Sequence, residues 1–325
     1  MTRSTAIVCL FLLLTVSRSG LAEHPFSSSG KTSLTDSTLD YRVPSQHFVV
    51  LKAGEVTAIL VDNEAIDIPE LPGHREGYNG IASLKHSRNE ENLFVPAYAG
   101  INFEHIHDGT LDHLKEKFEP RKFPMQLRLV DQSTVELYQA PTGNFQLESC
   151  GRYHLDRDGS ITYSFECRPH ADRFAHGYIG LFWASYINGP EDKAIHFTGE
   201  PQSGGPPRAI RAVTPKHGVE AVHPPKGQQW FPTIDDDFPL SLVGNYSNYV
   251  YTEPSYFGIR DDLRFEQSFR SRDQIFFVQS PSGGGGNPAW DFQWFIPDCK
   301  VGETYGFTMT TRYTPVATES SSGRP

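Results

Sequence analysis

The chain has 325 residues, 38% hydrophobic and 21% charged, a balance that excludes an intrinsically disordered protein and allows one large domain or two smaller ones. A formal net charge of −10 argues against a nucleic-acid footprint and against binding to an anionic membrane. The 22 Phe, 14 Tyr, 28 Gly and 24 Pro, with few helical patterns, favour strands and turns.

Residues 1–22 read as an export signal. Arg3 is the basic start, Ala6 to Val16 is an apolar run too short to cross a bilayer, and Gly20-Leu21-Ala22 is a cleavage site before Glu23. The expectation is a secreted or periplasmic chain with no membrane insertion of its mature part. Residues 23–44, rich in Ser, Thr and Gly, read as a loose leader, 45–315 as one β-sandwich domain, and 316–325 as a disordered tail.

Two strands are expected around His47–Lys52 and Glu55–Asp62, and a short one over Asn79–Lys85. Leu93 to Gly109 is the stretch on which the site depends. An apolar run, Leu93 to Ala99, leads into Asn102, Glu104, His105, His107 and Asp108. A regular strand here puts His105 and His107 on one face, with Asn102 and Glu104 on the other. Asp108–Lys117 has helical spacing ended by Pro120. Met125–Val130 and Thr134–Gln139 form a hairpin with one wet face.

Phe145–Leu155 and Ile161–Arg168 flank the loop Arg157-Asp158-Gly159, whose length fits a type I turn closed by a left-handed glycine. That register pairs Leu155 with Ile161 and Tyr153 with Tyr163. It sets Cys150 against Glu166 and Cys167 against Ser149, so the two cysteines face opposite ways and no bridge between them is expected. Tyr178–Ile187 reads as a strand buried on both faces, with Ala194–Phe197 as its partner. Pro201 to Pro239 is a long irregular excursion whose Trp230, Phe231, His217 and His223 favour an ordered, functional loop. Ser241–Val243, Asn248–Tyr251, Ser255–Arg260, Arg264–Ser268, Gln274–Gln279, Trp290–Ile296 and Thr304–Tyr313 are the remaining strands. About fifteen short strands with short turns give an all-β chain, a large antiparallel sandwich with few short helices.

The candidate site residues are polar groups at strand ends beside aromatics, the chemistry of sugar recognition. They are Asn102, Arg168, Trp183, His196, His217, His223, Trp290 and Asp291, beside the titratable cluster of Glu104, His105 and His107. Each has a plain structural reading beside the functional one, and a tryptophan in an apolar run is most often core. His105-Ile106-His107 also has the spacing of two ligands of one metal, which keeps open a cupin-like metal-dependent barrel enzyme. Ser282 to Pro288 is glycine-rich but lacks the Gly-Lys-Ser/Thr of a phosphate loop, and no cofactor is expected.

Three stretches resemble the galactose-mutarotase-like β-supersandwich superfamily, which includes the aldose 1-epimerases: Tyr78-Asn79-Gly80-Ile81, Asn102 to Gly109, and Trp290 to Ile296. The resemblance extends over the organisation of residues 45–315. It implies a carbohydrate partner and a histidine acid on the ring oxygen paired with a glutamate base on the anomeric hydroxyl. Carried onto this chain, His105 or His107 is the acid, Glu104 or a late glutamate is the base, and Asn79 is a substrate-binding residue. The chain departs from the pattern in two places. The Asn-Arg pair of the epimerases reads Asn79-Gly80, and neither Glu266 nor Glu303 sits in a motif matching the late glutamate. A glycan-binding or envelope protein without catalysis is the other reading of the same fold.

Overall fold

The structure, a computed structural model, describes residues 26–111, 116, 118–271, 274–283 and 285–316. The expected export signal, most of the tail and much of the expected 108–117 helix lie outside these residues. Strands β1 (Phe48–Ala53) and β2 (Val56–Val61) form a hairpin turned by Gly54-Glu55. A small ladder of β3 (Ile66–Ile68) and β4 (Leu71–His74) follows, and β5 (Gly80–His86) returns to pair with β2. Then come β6 (Asn102–His107) and a short helix α1 (Glu119–Lys122). Strands β7 (Gln126–Leu129), β8 (Thr134–Gln139), β9 (Leu147–Leu155) and β10 (Ile161–Pro169) form a meander. They are followed by β11 (Tyr178–Ala184), β12 (Ile195–Pro201), β13 (Arg208–Ala212), β14 (Val222–His223) and a short helix α2 (Ser241–Gly244). The last strands are β15 (Tyr249–Arg260), β16 (Leu263–Phe269), β17 (Ile275–Ser280), β18 (Ala289–Pro297) and β19 (Tyr305–Pro315).

Two antiparallel sheets make the sandwich. A nine-stranded sheet runs β13-β12-β15-β16-β19-β10-β9-β8-β7, and a five-stranded sheet runs β14-β17-β18-β11-β6. Alternation along each strand sends one row of side chains between the sheets. From the five-stranded sheet come Phe103, Trp183, Phe292 and Trp294; from the nine-stranded sheet come Tyr163, Phe165 and Phe307. Trp183 lies at the centre, stacked 5.1 Å from Phe103 and 5.0 Å from Phe292, with its Nε1 donating to the Tyr163 hydroxyl at 3.1 Å.

The β9–β10 register is the expected one: Leu155 faces Ile161, Tyr153 faces Tyr163, Cys150 faces Glu166 and Cys167 faces Ser149. Gly159 takes φ +83° to close the turn. Cys167 joins the core, while Cys150 turns outward toward Ser33.

Other expectations are corrected. Ala194–Phe197 does not pair with the Tyr178 strand: β12 lies in the other sheet between β13 and β15, and β11 pairs with β18 and β6. An apolar run buried on both faces cannot announce which neighbour covers it. Ser241–Val243 is helical, not extended. Over its described part the leader is not loose but is tied to two buried carboxylates. Glu166 accepts hydrogen bonds from Ser28 Oγ at 3.0 Å, Thr32 N at 3.0 Å, Thr32 Oγ1 at 2.8 Å and Thr35 Oγ1 at 2.7 Å. Glu136 accepts from Ser33 N at 2.9 Å and is paired with Arg152 at 2.7 Å. Ser27 adds a bridge to Tyr305 at the start of the last strand. Serine and threonine here are hydrogen-bond donors to buried charge, so a composition that suggests looseness serves attachment instead. Among the described residues no helix is long and apolar enough to cross a membrane.

Candidate functional site

The site lies on the outer face of the five-stranded sheet, away from the nine-stranded one. From β6 this face receives Asn102, Glu104, His105 and His107, from β11 Phe182 and Ala184, and from β18 Asp291 and Gln293. Strict alternation cannot put both Glu104 and His105 there. A β-bulge does: Phe182 opposes His105 while the next residue, Trp183, opposes Phe103, which leaves Glu104 as the extra residue on β6. The expectation that Glu104 and His105 point to opposite faces is therefore overturned. Their side chains meet, with His105 Nε2 3.5 Å from Glu104 Oε1.

Asn79 holds the bulge in place. Its Oδ1 accepts from Phe103 N at 3.0 Å, and its Nδ2 donates to Phe103 O at 3.0 Å and to Asn63 Oδ1 at 3.1 Å. The side-chain amide thus stands in for the strand that Phe103 lacks on that side. Ile101, just before, has φ +49°, and Gly80 packs so closely that a Cβ there would lie 2.7 Å from the Ile101 carbonyl oxygen. Asn79 is 1% exposed with its amide engaged in holding β6. Replacing Asn79 by alanine leaves both backbone groups of Phe103 without their partner. The expected loss is about 3 kcal/mol of folding stability, read by chemical denaturation. A loss below about 0.5 kcal/mol would show that the bulge is held by something else.

Glu104 is the centre of the polar network. Tyr186 donates its hydroxyl to Oε2 at 2.7 Å and Asn102 Nδ2 donates to the same oxygen at 3.3 Å. Arg121, from α1, brings its guanidinium to 3.6 Å from Oε1. It is aimed by a hydrogen bond from Nε to Gly77 O at 2.9 Å and by stacking 3.7 Å over the Tyr78 ring. Donors on every side suit a carboxylate, which can only accept. His105 lies against Phe118 at 4.7 Å and Phe182 at 5.6 Å.

Asp291 is two strands away and 1% exposed. Its Oδ1 accepts the Ser185 backbone N–H at 2.8 Å, and Ser185 Oγ in turn accepts Ile101 N at 3.0 Å. Burial holds the Asp291 carboxyl well above the usual carboxylate range, and the Glu104 charge adds to this against the opposing pull of the Ser185 N–H. Burial thus favours the protonated form of the Asp291 carboxyl. Both Asp291 and Glu104 border a cavity of ≈ 250 Å³. Glu104, His105, Tyr186 and Asp291 line it together with the rings of Phe118 and Phe182. Leu240, Ser241 and His217 form the opposite wall, with His217 Nδ1 3.0 Å from Ser280 Oγ. The volume is just under the range for drug-sized ligands, about 300–1,000 Å³, and suits one small polar ring.

The other expected residues go elsewhere. His107 shares the face of His105 but is walled off by Tyr178, Phe238 and Phe295. Neither of its ring nitrogens has a hydrogen-bond partner, and burial, with His105 adding to it, pushes its pKa down to about 3. His223 is sealed beneath Phe197, with Nδ1 2.6 Å from Ser247 Oγ. Trp183 and Trp290 fill the core, and the Trp290 Nε1 donates to Lys193 O at 3.1 Å. Arg168 bonds Thr304 Oγ1 at 3.0 Å, and His196 lies 3.2 Å from Asp192 and stacks on Phe257, both on the nine-stranded sheet. Among the described residues no three His, Cys, Asp or Glu side chains are grouped to hold a metal ion. Tyr186, Arg121 and Phe118 are site residues that the sequence did not mark. Tyr186 hides in an apolar run, and Arg121 reaches Glu104 only through the tertiary fold. It brings a guanidinium to the site although the position after Asn79 is glycine.

The fold and cleft define an all-β supersandwich with a small polar cavity on its shorter sheet. No protein-family model matches the sequence, and no curated relative matches it. Among solved structures, the chain is similar in fold to galactose mutarotase and aldose 1-epimerase-like proteins. One is a galactose mutarotase related enzyme from Lactobacillus acidophilus, at 11% identity over 82% of this chain and 97% of that one, TM-score 0.43. Another is the GalM/aldose epimerase homologue from C. elegans, at 8% identity over 83% and 99%, TM-score 0.45. A heparan sulfate lyase from Pedobacter heparinus matches at 11% identity over 85% of this chain and 36% of its own, TM-score 0.41.

Proposed function

We propose that the chain binds a carbohydrate in this cleft and acts on it by proton transfer, the class of reaction that interconverts the anomers of an aldose. The observation that carries the reading is one cavity lined by Glu104 with His105 and by Asp291, whose carboxyl burial holds well above the usual carboxylate range. Asp291 is the acid that protonates the ring oxygen as the ring opens. Glu104 is the base that takes the proton from the anomeric hydroxyl; once the C1–C2 bond of the open aldehyde turns, the ring recloses as Asp291 takes back the proton of the attacking hydroxyl and Glu104 returns its own to the aldehyde oxygen. Tyr186 and Arg121 hold Glu104 in place. Phe118 and Phe182 offer faces for the C–H surface of the sugar.

The test pairs calorimetric titration of the purified protein with a panel of neutral aldoses and measurement of anomer exchange by proton NMR. Binding to the wild type, weakened in Glu104→Gln, is expected together with exchange faster than the spontaneous rate. If no aldose of the panel distinguishes wild type from Glu104→Gln, the reading fails. Binding without accelerated exchange would make the cleft a recognition site only.

A further inference from the structure

His107 is the least explained polar group of this face. It is fully buried, its two nitrogens have no partner, and Gly180 beneath it leaves the room its ring occupies, since a Cβ there would lie 2.3 Å from the imidazole. Buried polar groups are nearly always paired, so an imidazole with both nitrogens idle asks what it meets in another state. Tyr178 and Phe295 flank it within the sheet, and among the described residues the ring packed on it from outside the sheet comes from one stretch of chain. Between β14 and α2 the backbone forms no regular element, and most of residues 227–240 are exposed or half-buried. Phe238 lies over His107 at 5.4 Å, and Trp230 packs on Tyr178 and Phe295 at 5.4 and 5.8 Å. The next residues, Pro239 and Leu240, line the cavity itself. One segment therefore separates His107 from the cleft.

That segment is tied down through the Gln228 side chain on Gln274, through Thr233 and, most fully, through Asp235. Asp235 donates its backbone N–H to Gly109 O at 2.9 Å, accepts Leu111 N on Oδ2 at 3.0 Å, and meets His176 Nε2 through Oδ1 at 3.0 Å. Two residues before it, Thr233 O accepts the Tyr178 hydroxyl at 3.0 Å. At its start Gly227 has φ +80° with open space around it, a suitable pivot.

We propose that residues 227–240 are a lid that lifts from the sheet with Asp235 as its latch, and that the lifted state adds His107 to the cleft as a further ligand-facing imidazole. A neutral imidazole is one donor and one acceptor, which a sugar hydroxyl answers with both of its own. The role given to His107 rests on the carbohydrate reading above; the motion does not.

The test needs no sugar. The full protein is treated with diethyl pyrocarbonate, which acylates neutral imidazole, and the rate at each histidine is read by peptide mass mapping. His223, sealed outside the lid, reports global unfolding, and half-exposed His170 reports reagent activity. In Asp235→Ala and in Tyr178→Phe, which removes only the hydroxyl, His107 is expected to react about tenfold faster, with His223 unchanged. Tyr178→Phe keeps the test open if Asp235→Ala does not fold. His107 rates that stay at the wild-type value in the folded variants, or that rise only in step with His223, would overturn the lid.

Discussion

Replacing Asp291 by asparagine is expected to slow anomer exchange by about 10²–10⁴-fold and, at neutral pH and above, to stabilise the protein. The two effects have one cause. Asparagine keeps the shape and the Oδ1 acceptor that Ser185 N–H uses at 2.8 Å, but it has no proton to give and no charge to bury. In the wild type burial raises the carboxyl above its ordinary value of 3.8. The folded state therefore holds a proton that the unfolded chain releases. The stability from that neutral carboxyl is fully present below the ordinary value and is lost as the pH climbs through the raised one. The variant has no such loss, so the two proteins should match near about pH 4 and separate in favour of asparagine toward about pH 8. Thermal midpoints across that window, beside exchange rates, decide it. A variant equally destabilised at both ends, or one that retains full exchange, would remove Asp291 from the role of acid.

Trp183→Ala is expected to cost about 3–5 kcal/mol of folding free energy, the largest stability effect of any single truncation considered. The indole fills the centre of the sandwich, stacked between Phe103 and Phe292 with Phe165 and Phe307 edge-on. Its removal opens a cavity between two sheets that cannot collapse independently, and leaves the buried Tyr163 hydroxyl without its donor. Trp183→Phe should lose far less and bind sugar as the wild type does, because no atom of Trp183 lines the cleft. Chemical denaturation beside titration separates these outcomes. A strong loss of sugar affinity in a fully folded Trp183→Phe would return Trp183 to the site.

The parts of this molecule that were legible in its sequence are those where local chemistry decides. Gly159 and the alternation around it fix the register of β9 and β10 to the residue. The alternation of Trp290 to Ile296 places Asp291 opposite its tryptophan neighbours, and the aromatic and histidine content of the long excursion marks it as ordered. The unread parts depend on distant partners. Alternation assumes a regular pleat, and the bulge that unites Glu104 with His105 is held by Asn79, more than twenty residues earlier. Trp183 and Trp290 lie in runs buried on both faces, where composition cannot say whether a ring meets a ligand or another sheet. His107 sits correctly on the site face, yet its access depends on Phe238, from a segment with no periodicity to read.

The attachment of the leader bears on how the molecule comes to be made. Residues 27–35 leave the ribosome before any strand, yet what they bind, Glu166 on β10 and Tyr305 on β19, is completed only at the far end of the chain. Until then Ser27 lacks its bridge partner Tyr305, and the nine-stranded sheet lacks the strand that joins β10 to β16. A segment made before β1 is thus among the last to find its place. Assembly has to wait for nearly the whole chain, with contacts of very high sequence separation formed late, a topology that favours slow folding.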